Sequence, residues 1–223
     1  MPKKLSVILT GASGMAGSGV LHACLVHKDV EKVTAVVRRP IGTKDDKLVE
    51  VILDDFLDWT RIEGPVSGHD ACFWCLGVSS TDVRKEADYR RITYDFTMAA
   101  AKVLEKVDPG MTFCFLSGLG TKAGSRLMWA RIKGKAEKDL GNFDLKVYNF
   151  RPGYIHPIKG VKSRYLSGRL LYPLLKHSKT MNVEADDFGR AMINAALFGF
   201  EKTTLENVDI KELAKRNGPS VSK

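Results

Sequence analysis

Leu5-Ser-Val-Ile-Leu-Thr-Gly11-Ala-Ser-Gly14-Met-Ala-Gly17, followed by the apolar stretch Val20 to Val26, decides how the rest of this 223-residue chain is read. A β-branched apolar run enters three glycines spaced three apart, and a helix-like segment leaves them. Each glycine has its own task in such a turn. Gly11 lets the chain leave the strand sharply, Gly14 lets backbone approach a ligand with no Cβ in the way, and Gly17 lets the helix pack closely on the sheet. With Ser13 and Met15 they form a candidate dinucleotide site, in which backbone N–H groups at a helix N-terminus face a pyrophosphate. The spacing is G-x-x-G-x-x-G, and the competing reading is an ordinary strand-to-helix turn of small residues.

Working outward, apolar runs alternate with helix-period segments. Strands are expected at Leu5–Leu9, Lys32–Val37, Leu48–Leu53, Ala71–Cys75, Met111–Leu116 and Leu145–Phe150, with a short one at Thr203–Val208. Helices are expected at Gly14–His27, Asp82–Val107, Ser125–Gly141, Arg164–His177, Glu184–Phe198 and Asp209–Arg216. This alternation predicts an α/β fold: a doubly wound parallel sheet with helices on both faces and strand order 3-2-1-4-5-6. One domain is expected over residues 1–216, with a core at 1–153, a mixed lobe at 154–216 and a flexible tail at 217–223.

The composition, 44% apolar and 27% charged, is that of a soluble globular protein, and no apolar run approaches the ~20 residues of a membrane span. Met-Pro-Lys-Lys leads directly into the first strand, so no signal peptide is expected and the cytoplasm is the simplest location. The net charge of +9 is unevenly placed: Ile155 to Val183 holds no acidic residue, and Thr121 to Lys138 holds only Glu137. Such stretches suit an anionic ligand, nucleic acid or an anionic membrane surface, or are simply a solvated basic face. No nucleic-acid signature accompanies the charge, and Gly168 and Pro173 weaken the segment as a membrane-surface helix. Cys72-Phe-Trp-Cys75 has redox-motif spacing, yet residues three apart on a strand face opposite ways, so all four cysteines read as buried and structural. No metal site is expected.

The end of the second strand selects between dinucleotides. A carboxylate there holds the ribose 2′-hydroxyl, whereas arginine accommodates a 2′-phosphate. Here the chain reads Val37-Arg38-Arg39-Pro40, which predicts NADP(H) over NAD(H) unless the two arginines are merely surface charge. Asp54 and Asp55 end the third strand, where a carboxylate either accepts from the adenine amine or caps the following helix. Leu76 and Gly77 end the fourth strand, beside the ligand crevice of such sheets.

Taken together, Thr10-Gly-Ala-Ser-Gly-Met-Ala-Gly17, Val37-Arg-Arg39, Cys75-Leu-Gly77, Phe115-Leu-Ser-Gly118, Lys133-Gly-Lys-Ala-Glu137 and Phe150-Arg-Pro-Gly153 resemble the atypical branch of the short-chain dehydrogenase/reductase superfamily. Within it the chain is most similar to the NAD(P)H-binding group of HIV Tat-interacting protein-like oxidoreductases. The resemblance implies a Rossmann-type fold with a small C-terminal substrate lobe. It also implies a Y-x-x-x-K signature with an upstream serine, the tyrosine moving a proton and the lysine holding the nicotinamide ribose. In this chain the slot reads Trp129-Ala-Arg-Ile-Lys133. Lys133 keeps the implied ribose role, but an indole N–H only donates and does not act as a general acid or base. Ser117 occupies the serine region, either orienting a substrate carbonyl or bonding the strand-end backbone. Pro152 and Gly153 are implied at the nicotinamide end. Tyr154 and His156 follow and are candidates for a replacement proton relay, or for packing. A second match to the signature, Tyr172-Pro-Leu-Leu-Lys176, lies after the last core strand with proline inside it and is set aside.

Two functions compete. The first is an NADP(H)-dependent oxidoreductase acting on a small molecule, anionic if the basic stretches bear on it. The second is a non-catalytic NADP(H)-binding redox sensor that signals to a regulatory protein partner, a reading that the lost tyrosine favours. A homodimer is compatible with either.

Overall fold

The computed structural model describes residues 4–83, 85–157 and 181–217. In chain order the elements are β1 (Leu5–Thr10), α1 (Met15–Val26), β2 (Val30–Val37), β3 (Leu48–Ile52), a 3-10 turn (Trp59–Ile62) running into α2 (Glu63–Val66), and β4 (Ala71–Trp74). Then α3 (Glu86–Arg90) continues through a π-helical turn (Arg91–Asp95) into α4 (Phe96–Val107), followed by β5 (Thr112–Leu116), α5 (Met128–Leu140), β6 (Lys146–Arg151) and β7 (Tyr154–His156). The described chain ends with β8 (Asn182–Glu184), α6 (Ala185–Phe198), β9 (Thr204–Glu206) and α7 (Asn207–Ala214). The expected helix at Arg164–His177 and most of the basic 155–183 stretch lie outside the described residues.

Seven parallel strands form the main sheet in the order β3-β2-β1-β4-β5-β6-β9. The expected 3-2-1-4-5-6 order holds, and β9 extends it beyond β6. All six residues of β1 are buried, as befits a central strand covered on both faces. Side chains alternate between the two faces with period two. Val7, Leu9 and Phe73 join a core with α1 and α6, while Ile8, Trp74 and Phe113 join a second core with α4 and α5. Cys75 belongs to the first core and Cys72 to the second, so the pair sits on opposite faces as expected. All four thiols are free and buried, and burial pushes each pKa up.

Small residues set the distance between α1 and α6. A Cβ on Gly19 would lie 2.3 Å from the Ala185 Cβ, and one on Gly189 would lie 2.5 Å from that of Ala23. The two-stranded parallel pair β7-β8 was not expected, because three-residue strands are too short to show a period of two. It joins the chain leaving β6 to the chain entering α6.

Candidate cofactor and substrate crevice

The glycine turn is built as its spacing implies. Gly11 has φ +69°, and a Cβ there would lie 2.5 Å from the Cys75 carbonyl oxygen. A Cβ on Gly17 would lie 2.1 Å from the Gly11 carbonyl oxygen, so helix and turn touch backbone to backbone. Gly14 N–H donates to Gly11 O at 2.8 Å, closing the turn, and Leu76 N–H donates to the Thr10 hydroxyl at 3.2 Å, tying β4 to it. No side chain caps the N-terminus of α1, and its first turn holds no acidic residue. Ser13 is exposed on the turn, and Met15 opens the helix.

The other candidates at the strand ends flank this turn. Arg38 and Arg39 are exposed after β2, with no ion-pair partner among the described residues. Asp54 and Asp55 are exposed after β3. Asp55 accepts from Leu57 N–H at 3.0 Å, a local turn bond, so its side chain serves the backbone here. Gly77 is exposed, and a Cβ on it would meet nothing within 4 Å.

Beyond the turn lies a cavity of about 410 Å³, lined by Tyr89, Trp129, Lys133, Pro152, Gly153 and Tyr154 among others. The Lys133 ammonium donates to Leu116 O at 3.0 Å and Ser117 O at 2.8 Å, the carbonyls where β5 ends. Burial pushes its pKa down to about 8, against the opposing pull of Glu137 and Cys75. The Trp129 indole lies over Gly118 and Gly120, where a Cβ on either would come within 3.8 Å of the ring. Pro152 O accepts from Leu119 N–H at 3.0 Å, and Gly153 N–H donates to Asn207 Oδ1 at 3.0 Å, so both are held by their backbones. A Cβ on Gly153 would lie 2.1 Å from Met181 O. Behind this wall, Arg151 donates from Nε to Glu137 at 2.9 Å and from a terminal nitrogen to Glu206 at 3.1 Å, joining β6, α5 and β9. The Glu137 carboxylate is the main cause of a raised Arg151 pKa.

The structure thus brings Lys133, Pro152, Gly153 and Tyr154 to one cavity and places Ser117 and His156 off it. The Ser117 hydroxyl is buried against that of Thr121 at 3.0 Å and is not among the lining atoms. His156 packs edge-on to Tyr154 with ring centroids 5.0 Å apart. Tyr89, only 2% exposed, lines the cavity with Val78, Ser79, Ser80, Leu119 and Met181, none of which the sequence reading singled out. Tyr89 stands in no motif and reaches the cavity from α3, a separate crossover.

The buried lysine makes a testable prediction about stability. An unfolded lysine holds its proton to about its ordinary 10.5, whereas Lys133 in the fold releases it near 8. Between those values the unfolded chain binds more protons, so this group contributes a stability that rises with pH. Urea melts of wild type and Lys133→Met should therefore diverge across that window, wild type gaining stability relative to the variant. Parallel pH profiles would show that the ammonium is not strained by burial.

No family model matches the chain. Among curated proteins it is similar to protein FMP52, mitochondrial, of Kluyveromyces lactis, 26% identical over 226 residues covering 95% of this chain and 98% of that protein. Protein HTATIP2 of Rattus norvegicus is 28% identical over 155 residues, covering 67% of this chain and 62% of that protein. Among solved structures, the Bordetella bronchiseptica enzyme WbmF in complex with NAD+ superposes with a TM-score of 0.68 at 12% identity, covering 94% of this chain and 77% of that one. A UDP-N-acetylglucosamine 4-epimerase from Methanobrevibacter ruminantium superposes at 0.66 with 15% identity, covering 91% and 75%. These structures establish the fold. The chain is related to the FMP52 and HTATIP2 proteins, and its likeness to the NAD(P)-binding atypical short-chain dehydrogenase/reductases is borne out.

One expectation is corrected. A cytoplasmic location is overturned by the FMP52 relatives, which are named mitochondrial proteins. A secretory segment is apolar, whereas mitochondrial addresses are amphipathic and basic, so the lack of an apolar leader does not bear on a mitochondrial location.

Proposed function

We propose that the chain binds NADP(H) and acts as an oxidoreductase on a small molecule held in the crevice. The glycine turn carries this reading. Its glycines leave no room for a Cβ at Gly11 or Gly17, and α1 presents an uncapped N-terminus, the backbone arrangement that suits a pyrophosphate. Arg38 and Arg39 stand exposed after β2, where a ribose 2′-phosphate needs cations. A bound nicotinamide supplies or accepts hydride. Lys133 holds the nicotinamide ribose, Pro152 and Gly153 present backbone to the ring, and Tyr154 is the phenol among the earlier candidates that reaches the cavity. Asp54, Leu76 and Gly77 border the adenine half. The relatives' names support residence in mitochondria.

Replacing both Arg38 and Arg39 with serine tests the cofactor. Charge-assisted hydrogen bonds contribute about 1.5–3 kcal/mol, so NADPH affinity should fall roughly ten- to a hundredfold while NADH affinity stays put. Equal affinity of the wild-type protein for NADH and NADPH, by fluorescence titration, overturns the preference.

Trp129 favours a second reading, a non-catalytic NADP(H)-binding sensor. NADPH consumption with a panel of carbonyl compounds, lost on Lys133→Ala, supports the enzyme. Tight NADPH binding without turnover supports the sensor.

A further inference from the structure

The substrate end of the crevice has a chemistry of its own. Beyond Lys133, no lining residue among those described is charged: there is no carboxylate, arginine or histidine. Lys133 itself already donates to two backbone carbonyls, which leaves little for a phosphate or carboxylate. What remains is mostly aromatic and apolar, with Ser79 and Ser80 as its small polar residues. Trp129, Tyr89 and Tyr154 contribute three ring systems, and Val78, Leu119 and Met181 complete the apolar wall. Leu119 and Met181, 41% and 39% exposed, put apolar surface at the mouth of the cavity. The Trp129 ring lies over the glycine-rich loop after β5, a flat surface offered to a ligand.

Tyr89 adds a polar handle. It is buried on α3, one residue before Arg90 and the π-helical turn Arg91–Asp95. Such turns are frequent at functional sites because they re-aim neighbouring side chains. Burial raises its pKa, against the opposing pull of the Thr93 side chain, so the hydroxyl stays protonated and a donor at neutral pH.

We propose that this crevice takes a flat, uncharged aromatic carbonyl compound of the quinone class, laid against Trp129 and hydrogen-bonded at its carbonyl oxygen by the Tyr89 hydroxyl. The inference rests on the crevice being the substrate end of the site proposed above. Several solved neighbours are described with UDP-sugars, charged ligands to which the described lining residues here offer no free cation.

The test is binding, read without turnover. 9,10-Phenanthrenequinone is titrated calorimetrically into the full chain, with and without saturating NADP+, and UDP-glucose and a saturated ketone of similar size are titrated beside it. Saturable binding of the quinone is expected, with no binding of UDP-glucose and weaker binding of the ketone. Trp129→Ala should weaken the quinone about tenfold by loss of stacking, and Tyr89→Phe about fivefold by loss of one hydrogen bond. Trp129→Phe, which keeps a ring, should retain most of the affinity and covers the case in which the alanine variant does not fold. Equal binding of quinone and ketone, binding of UDP-glucose, or unchanged quinone affinity in Trp129→Ala and Tyr89→Phe overturns the proposal. NADPH bound normally with no quinone bound overturns this proposal alone. Quinone bound with no NADPH bound overturns the cofactor reading and leaves this one standing.

Discussion

Gly17→Ala is expected to abolish NADPH binding and to lower the melting temperature by about 10 °C. The added Cβ would lie 2.1 Å from the Gly11 carbonyl oxygen and 2.6 Å from its carbon. Both are backbone atoms, so no side-chain rotation relieves the contact. Overpacking in a tight site costs about 1–3 kcal/mol. A backbone collision at this distance belongs at the upper end, and about 3 kcal/mol corresponds to roughly 10 °C for a chain of this size. Relief requires α1 to move off the turn, which moves the N–H groups that would face the pyrophosphate. Gly77→Ala is the control for the melt: a Cβ there meets nothing within 4 Å, so its melting temperature should match wild type. A Gly17→Ala protein that melts like wild type and binds NADPH with unchanged affinity would show that the close approach has no functional weight.

Arg151→Met is expected to cost about 3 kcal/mol, the usual penalty for removing one partner of a buried ion pair. The Glu137 side chain is only 8% exposed and would lose its forked partner, leaving Lys133 as the nearby cation. Arg151 also reaches Glu206, so its loss unties the end of β6 from β9 as well as from α5. Arg151→Lys should recover little, since one ammonium does not reproduce the fork that engages Glu137 through two nitrogens and Glu206 through a third contact. Adding Glu137→Gln to Arg151→Met should restore a large share of the stability, because the buried charge is then gone. Urea denaturation of wild type, Arg151→Met, Glu137→Gln and the double variant reads the cycle. Additive losses would mean the two side chains do not act as a pair.

Particular residues mark how far the sequence reading reached. The main strands were legible because a sheet covered on both faces needs continuous apolar runs, and Leu5–Thr10 and Ala71–Trp74 are such runs. Cys72 and Cys75 were correctly placed on opposite faces by the same period of two. Gly19 and Gly189 went unremarked as packing residues, since each matters only through a helix more than 160 positions away. The hydroxyl of Ser117 had two local readings, and its bond to Thr121 matches neither: the loop after β5 folds back to meet it.

The sequence by itself determined the order of elements, the parallel sheet and the glycine turn, because strand runs, helix periods and glycine spacing are local properties of the chain. Only the tertiary structure decided what the crevice contains. Tyr89 from α3, Trp129 and Lys133 from α5, Gly153 and Tyr154 after β6, and Met181 before β8 come together there from separate crossovers. The signature spacing links Trp129 to Lys133, but no spacing rule links that pair to Tyr89, Tyr154 or Met181, because those distances are set by how helices pack on the sheet rather than by the chain between them.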